Sequence, residues 1–350
     1  MFNLEALVRS NVKRLSPYSS ARDEFKGIAS VYLDANENSL GSPLLKWYNR
    51  YPDPMQWKVK EKISFIKKVP VEQIFLGNGS DEPIDILYRC FCEPLVDEVI
   101  IMPPTYGMYE VSANINNVKI KSVPLTPSFQ IDLEQLESAI QPNTKIIWIC
   151  SPNNPTGNSL DRQSIEMILN NFDGLVVIDE AYINFSRQKS FVTDLNEYPN
   201  LVVMQTLSKA WGLAGLRMGM AFASNEIIAF MNKVKPPYNI SEPVQELALK
   251  ALEEIGQVND MIKEIIALRT DLEQQLDKSD LVLNRFPSDA NFLLVKFKDP
   301  TAVYNYLLQH EIVVRDRSKV QLCEGCLRIT VGTKEENDKL INALKSFKQL

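Results

Sequence analysis

Five short apolar runs, at 74–76, 99–102, 146–150, 175–178 and 201–204, are separated by amphipathic segments of helix length. Buried runs alternating with helices predict a mainly parallel sheet covered on both faces, an α/β domain. Ligands of such sheets bind beyond the carboxyl ends of the strands. The residues that follow each run are therefore the candidates for function. They read Gly77-Asn78-Gly79-Ser80-Asp81, Pro103-Pro104-Thr105-Tyr106, Ser151 to Gly157, Asp179-Glu180-Ala181-Tyr182 and Thr206-Leu207-Ser208-Lys209.

The 350 residues are enough for two or three units of ordinary domain size. After Ser241 a helical pattern runs to about Leu276, broken softly at Gly256. Strands are expected near 292–295, 312–315 and 327–331, with a helix between them and a final helix from about Lys334, which makes a smaller α+β domain. Leu4, Leu7, Val8, Val12 and Leu15 recur at helical spacing, the pattern of an amphipathic arm packed on protein rather than a targeting peptide. The division expected is 30–270 for a large domain, and 1–29 with 271–350 for the arm and small domain.

Charge excludes some partners. Thirty-eight basic residues against 44 acidic ones leave a net charge of −6 without a Lys/Arg-rich run, so nucleic acid is not expected. No stretch reaches the roughly 18 apolar residues of a spanning helix, so no membrane role is expected. Five cysteines, with no apolar signal core ahead of them, point to a reducing, cytoplasmic setting. Cys323 and Cys326 form a lone C-x-x-C in a chain with one histidine, His310, too few ligands for a zinc site; no metal is expected.

A lysine taken alone is a solvated surface residue. Lys209, however, follows an apolar run and precedes Arg217 by eight residues. An amine can form an imine with an aldehyde, and a guanidinium can grip a phosphate; pyridoxal phosphate carries both groups. Asp179 closes the run 175–178, where it is either a helix cap or a carboxylate that keeps a pyridine nitrogen protonated. Tyr182 and the Asn154 amide can bond the oxygen on the same ring, although Asn154-Pro155-Thr156-Gly157 also reads as a plain turn. The segment 77–83 joins strand to helix, with Ser80 and Asp81 at the helix start, either an ordinary cap or an anion site. Tyr106 is either packed or laid on the ring.

These residues match a known pattern. Asn154 to Gly157, Asp179 to Tyr182 and Ser208 to Arg217 together resemble the fold-type-I aminotransferases. More narrowly, Pro17-Tyr18, Asp34 to Asn38, Arg50 to Asp53, Pro103 to Tyr109, Val314-Arg315-Asp316 and Cys326 to Gly332 resemble the histidinol-phosphate aminotransferase family. The resemblance spans nearly the whole chain. It implies a seven-stranded-type sheet and pyridoxal phosphate joined to Lys209, with Asp179 on the ring nitrogen and Asn154 and Tyr182 on the ring oxygen. Ser80, Asp81, Ser208 and Arg217 would surround the phosphate, with Tyr106 on the ring. Tyr51 would reach the neighbouring subunit's cofactor in a homodimer, and Tyr18, Asn36, Arg315 and Arg328 would bind substrate. Trp211 stands where the family often has Phe, and Asn38-Ser39-Leu40-Gly41 where it often has Asn-Pro-Tyr-Gly.

The implied reaction moves an amino group between L-histidinol phosphate and 2-oxoglutarate, giving imidazole acetol phosphate and L-glutamate, in histidine biosynthesis. Lys209 would then be both tether and base, since His310 falls in an expected surface helix. A fork of donors accepts phosphate or carboxylate, so Arg315 and Arg328 can serve both half-reactions. An aromatic amino-acid aminotransferase or a related pyridoxal-phosphate decarboxylase would share every cofactor residue. A non-catalytic protein that keeps the fold would be expected to have lost Lys209, Asp179 or Arg217, and all three are present.

Overall fold

The computed structural model describes residues 2–18 and 29–347. Its centre is a seven-stranded sheet: β1 (Ile74–Asn78), β2 (Glu98–Ile101), β3 (Lys119–Ser122), β4 (Thr144–Cys150), β5 (Leu175–Asp179), β6 (Leu201–Thr206) and β7 (Met218–Phe222). The spatial order is β1-β7-β6-β5-β4-β2-β3. All pairs are parallel except those of β7, which is antiparallel to both β1 and β6. Every residue of β5 and β6 is buried, as strands covered on both faces require.

Side-chain alternation divides these strands between two cores. Ile147, Ile149, Val176, Ile178 and Val203 enter one, and Ile146, Trp148, Val177, Val202 and Met204 the other. Each fully buried aliphatic side chain contributes about 1.5–3 kcal/mol, so β4, β5 and β6 form a rigid base for the loops at their carboxyl ends.

Two strands of this sheet escape an apolar-run reading. β3 is the edge strand Lys-Ile-Lys-Ser, whose lysines suit an open edge but interrupt any apolar run. β7 contains Gly219 and Ala221, too small to register as a run, yet it is wholly buried.

The smaller sheet is antiparallel in the order β10-β11-β9-β8, from β8 (Val282–Arg285), β9 (Phe292–Phe297), β10 (Arg315–Asp316) and β11 (Cys326–Thr330). Helices Pro300–Gln309 and Lys334–Ser346 pack on it around Val295, Leu307, Leu327 and Leu340. A Thr333/Glu336 capping box starts the second of these helices. β8 was not expected, because it is a half-exposed edge without a clean pattern. The strand expected at 312–315 begins only at Arg315: the Ile312 amide donates to Leu307 O at 2.9 Å and closes the preceding helix instead.

Helix boundaries also shift. The pattern from Ser241 divides into Glu242–Glu253 and Ile255–Leu276, and the break falls at Glu254 (φ −94, ψ 32) rather than at Gly256. The N-terminal arm is two short helices, Leu4–Leu7 and Ser10–Arg14, because Val8 is extended. Val8 and Val12 are buried against the large core as their spacing predicts, whereas Leu15 is exposed. Among the described residues no helix is long and apolar enough to cross a membrane. Cys323 and Cys326 are free thiols buried in the core.

Candidate active site

A cavity of about 780 Å³ opens beyond the carboxyl ends of the large sheet and is roofed by the small domain. Into it the fold delivers Ser80 and Asp81 after β1, Tyr106 after β2, Asn154 after β4, Asp179 and Tyr182 from β5, and Ser208 and Lys209 after β6. Arg217 arrives by a different route. Because β7 is antiparallel, its first residue, Met218, pairs with Asn78 at the carboxyl end of β1, so Arg217 joins the other loops. Arg315 and Arg328, directly opposite each other on β10 and β11, come down from the small domain.

The corner expected to take a phosphate is built on close backbone approach. Gly79, at φ +72, donates its N–H to Arg217 O at 2.8 Å, and a Cβ there would lie 2.4 Å from Arg217 Nη2. A Cβ on Gly219 would stand 2.4 Å from the Gly79 carbonyl carbon and 2.6 Å from Ser80 N. Ser80 starts the helix Asp81–Phe91 without a side-chain capping bond. Ser208 is held by Thr206, whose Oγ1 accepts the Ser208 N–H at 3.1 Å. Arg217 Nη2 lies 3.5 Å from Asp81 Oδ2, and the Tyr106 hydroxyl donates to Asp81 Oδ1 at 3.0 Å. Gly219→Ala should therefore destabilise the fold by about 1–3 kcal/mol by overpacking and open this corner. A lower urea midpoint together with weaker cofactor retention is the expected result; an unchanged midpoint would show that the close approach is dispensable.

Asp179 is not a helix cap. Its Oδ2 accepts the Tyr109 hydroxyl at 2.7 Å and its Oδ1 accepts the Ala181 N–H at 3.1 Å. Burial raises its pKa, opposed by the Tyr109 and Ala181 hydrogen bonds and by the Lys209 charge. Tyr109 is fully buried, stacked on Trp148 with centroids 4.8 Å apart, and burial and Asp179 push its pKa well up, so it stays a neutral donor. Sequence reading gave Tyr109 no role. It sits in the helix Met108–Ile115, and nothing in the primary pattern says that its hydroxyl meets a residue 70 positions away.

The amide of Asn154 is oriented from both sides. Arg328 donates to its Oδ1, and its Nδ2 faces the Tyr182 hydroxyl at 3.5 Å. Lys209 Nζ stands 5.5 Å from the Tyr182 ring centroid. Burial lowers the Lys209 pKa first, then the positive charges of Arg328 and Arg217, against the pull of Asp179. Removing the Arg328 charge should move that pKa back up. In the cofactor-free protein, the pH at which Lys209 becomes reactive toward a small acylating reagent should therefore rise in Arg328→Gln, as followed by peptide mass spectrometry. A fall would contradict this electrostatic reading.

Three expected site residues lie outside the cavity of their own chain. Asn36 and Tyr51 line a separate depression of about 470 Å³, where the Tyr51 ring stacks on Tyr238 at 4.5 Å. Tyr18 is exposed at the end of the described N-terminal segment. His310, the sole histidine, is exposed at the end of the helix Pro300–Gln309, outside this cavity.

Comparison with known proteins identifies the fold and the family. The sequence profile of aminotransferase class I and II matches residues 45–344. Histidinol-phosphate aminotransferase of Cytophaga hutchinsonii is 54% identical over 346 residues, covering 99% of each chain. The crystal structure of histidinol-phosphate aminotransferase from Clostridium acetobutylicum superposes with a TM-score of 0.78 at 25% identity, over 85% of this chain and 90% of that one. The Sinorhizobium meliloti histidinol-phosphate aminotransferase, solved in complex with pyridoxal-5'-phosphate, shares the fold with a TM-score of 0.77 at 22% identity, over 85% and 83% of the two chains. With the family profile running from the entry to the large sheet to the last helix, and identity above one half over the whole length, the chain belongs to the histidinol-phosphate aminotransferase family of class I and II aminotransferases.

Proposed function

We infer that the chain is a pyridoxal-phosphate-dependent transaminase that moves the amino group of L-histidinol phosphate to 2-oxoglutarate, giving imidazole acetol phosphate and L-glutamate, a step of histidine biosynthesis. The observation that carries this reading is the convergence of Lys209, Asp179, Asn154, Tyr182 and Arg217 on one cavity that also receives Arg315 and Arg328. The donor set fits the cofactor: an amine with lowered pKa, a buried carboxylate, two groups for one ring oxygen, and a guanidinium beside a glycine-lined corner.

When bound, pyridoxal phosphate supplies an aldehyde to carry the amino group and a ring that withdraws electrons from the reacting carbon. Asp179, steadied by Tyr109, would present its carboxylate to the ring nitrogen. Asn154 and Tyr182 would hold the ring oxygen, and Tyr106 would lie against the ring. Ser80, Asp81, Ser208 and Arg217 would hold the phosphate. Lys209 Nζ would be the amine that tethers the cofactor and, when free, the base that holds the proton removed from the substrate carbon. Its lowered pKa leaves it more of the free base near neutral pH than an exposed lysine. Arg315 and Arg328 receive the anionic end of either substrate.

The active unit proposed is a homodimer in which Tyr51 reaches the other protomer's cofactor phosphate, with Asn36 beside it and Tyr18 closing the substrate mouth. Support comes from the segment that carries Asn36 and leads to Tyr51: Leu33, Leu40, Leu45 and Trp47 are 84%, 90%, 108% and 59% exposed, large apolar side chains that a subunit interface would cover. The domain division proposed is 30–270, and 1–29 with 271–350. It is supported by Leu272 and Leu276 packing with the small sheet while Val258 packs with the large core. Five free, buried thiols support a cytoplasmic location.

The test is a coupled assay. The purified protein, histidinol phosphate and 2-oxoglutarate should yield glutamate and keto product one for one. Failure with histidinol phosphate alongside success with phenylalanine would replace this reading with the aromatic one. Release of carbon dioxide without glutamate would make the protein a decarboxylase.

A further inference from the structure

Three arginines, not two, face the cavity from the small domain. Arg315 pairs directly with Arg328 across β10 and β11, and the Arg317 N–H donates to Cys326 O at 3.0 Å, extending the same ladder by one more rung. Directly opposed residues, and residues two apart on one strand, share a face, and all three side chains line the cavity. Like charges at such positions repel. Among the described residues none of the three forms an ion pair; Arg328 has the neutral Asn154 amide as its partner. The acidic residues beside them in the chain are turned to the main chain, Asp316 accepting from Ser318 N at 2.7 Å and Glu324 from Leu322 N at 3.1 Å. Arg317 Nε is buried with no hydrogen-bond partner. A buried, unsatisfied donor beside two more cations costs stability unless an anion completes it.

The charge also suggests which anion. A carboxylate offers two coplanar oxygens and one charge, which one or two guanidinium forks satisfy. A phosphate monoester offers three oxygens and up to two charges. We propose that Arg317 is the third guanidinium of the site for the donor's phosphate, and that it sets the preference for a phosphorylated amine over dicarboxylate substrates. This rests on the transaminase reading above.

Arg317→Gln in the holoenzyme should lower kcat/KM for histidinol phosphate roughly 10- to 100-fold, the loss of one charge-assisted hydrogen bond, expressed mainly in KM. For the dephosphorylated amino alcohol and for glutamate the change should stay under about 3-fold. Inorganic phosphate, used as an inhibitor of the glutamate half-reaction, should weaken in the same proportion as the phosphorylated donor. Arg317→Lys, which keeps the charge but not the fork, should recover part of the loss, and it carries the same comparison should the Gln variant not fold. Equal losses on all three substrates would assign Arg317 a structural role, and no loss on any would assign it none; either overturns the proposal. A wild-type enzyme that uses glutamate but not histidinol phosphate would defeat the functional reading instead. The inorganic-phosphate comparison would still decide the role of Arg317.

Discussion

Lys209→Ala should abolish amino transfer, with turnover lowered by roughly 10⁴-fold or more, because one side chain provides both the covalent tether and the base. Among the described residues, the cavity offers no histidine to replace it. His310 is exposed outside it, and burial pushes the Tyr106, Tyr182 and Cys150 groups that line it to higher pKa, so none of these is a base near neutral pH. The variant should also lack the yellow absorbance of a cofactor joined to an amine. Misfolding can be separated from lost chemistry by the sign of the stability change. A lysine whose pKa is lowered on folding binds fewer protons in the folded chain, so its cation destabilises the fold. That penalty is fully present below the folded-state pKa and is gone above the unfolded value of 10.5. Alanine removes it, and at pH 7 the cofactor-free variant should melt no lower than wild type. A variant with normal turnover would take Lys209 out of the mechanism.

The second large effect is expected at Asp179. Asp179→Asn keeps the shape and discards the charge, and the variant should bind cofactor but turn over about 10²- to 10³-fold more slowly. An adjacent opposite charge shifts a pKa by about 1–3 units, and the ring nitrogen loses that support. Stability should change little, for two opposing reasons. The buried carboxylate has its pKa raised chiefly by burial, a penalty absent below the unfolded pKa and complete above the folded one, and asparagine relieves it at neutral pH. Against this, Asp179 accepts two hydrogen bonds, from Tyr109 and from Ala181 N, and an amide has one oxygen for two donors. One donor left facing an NH₂ group costs about 1–3 kcal/mol. Wild-type turnover with cofactor bound would show that the ring needs no carboxylate.

Much of the candidate site was legible in the chain because its residues are local to strand ends. An apolar run announces a buried strand, and the residue after the run must emerge at the sheet's edge. This logic marked Ser80, Asp81, Tyr106, Asn154, Asp179, Tyr182, Ser208 and Lys209, and all of them line one cavity. Strands without an apolar run, β3, β7 and β8, were invisible to it.

By itself, then, the sequence determined the α/β class, the two cores and the chemical groups at the strand ends, since periodicity and run length are properties of neighbours in the chain. Tertiary structure alone decided the direction of β7, which brings Arg217 to the carboxyl ends of strands that run the other way. It also set the approach of Gly219 to Gly79 and the meeting of Tyr109 with Asp179. The alignment of Arg317 with Arg315 and Arg328 depends on the β10–β11 register in the same way. Each of these joins residues far apart in sequence. A pattern of hydrophobic spacing tells a side chain which face to occupy, whereas only the packed arrangement of elements tells it what stands opposite.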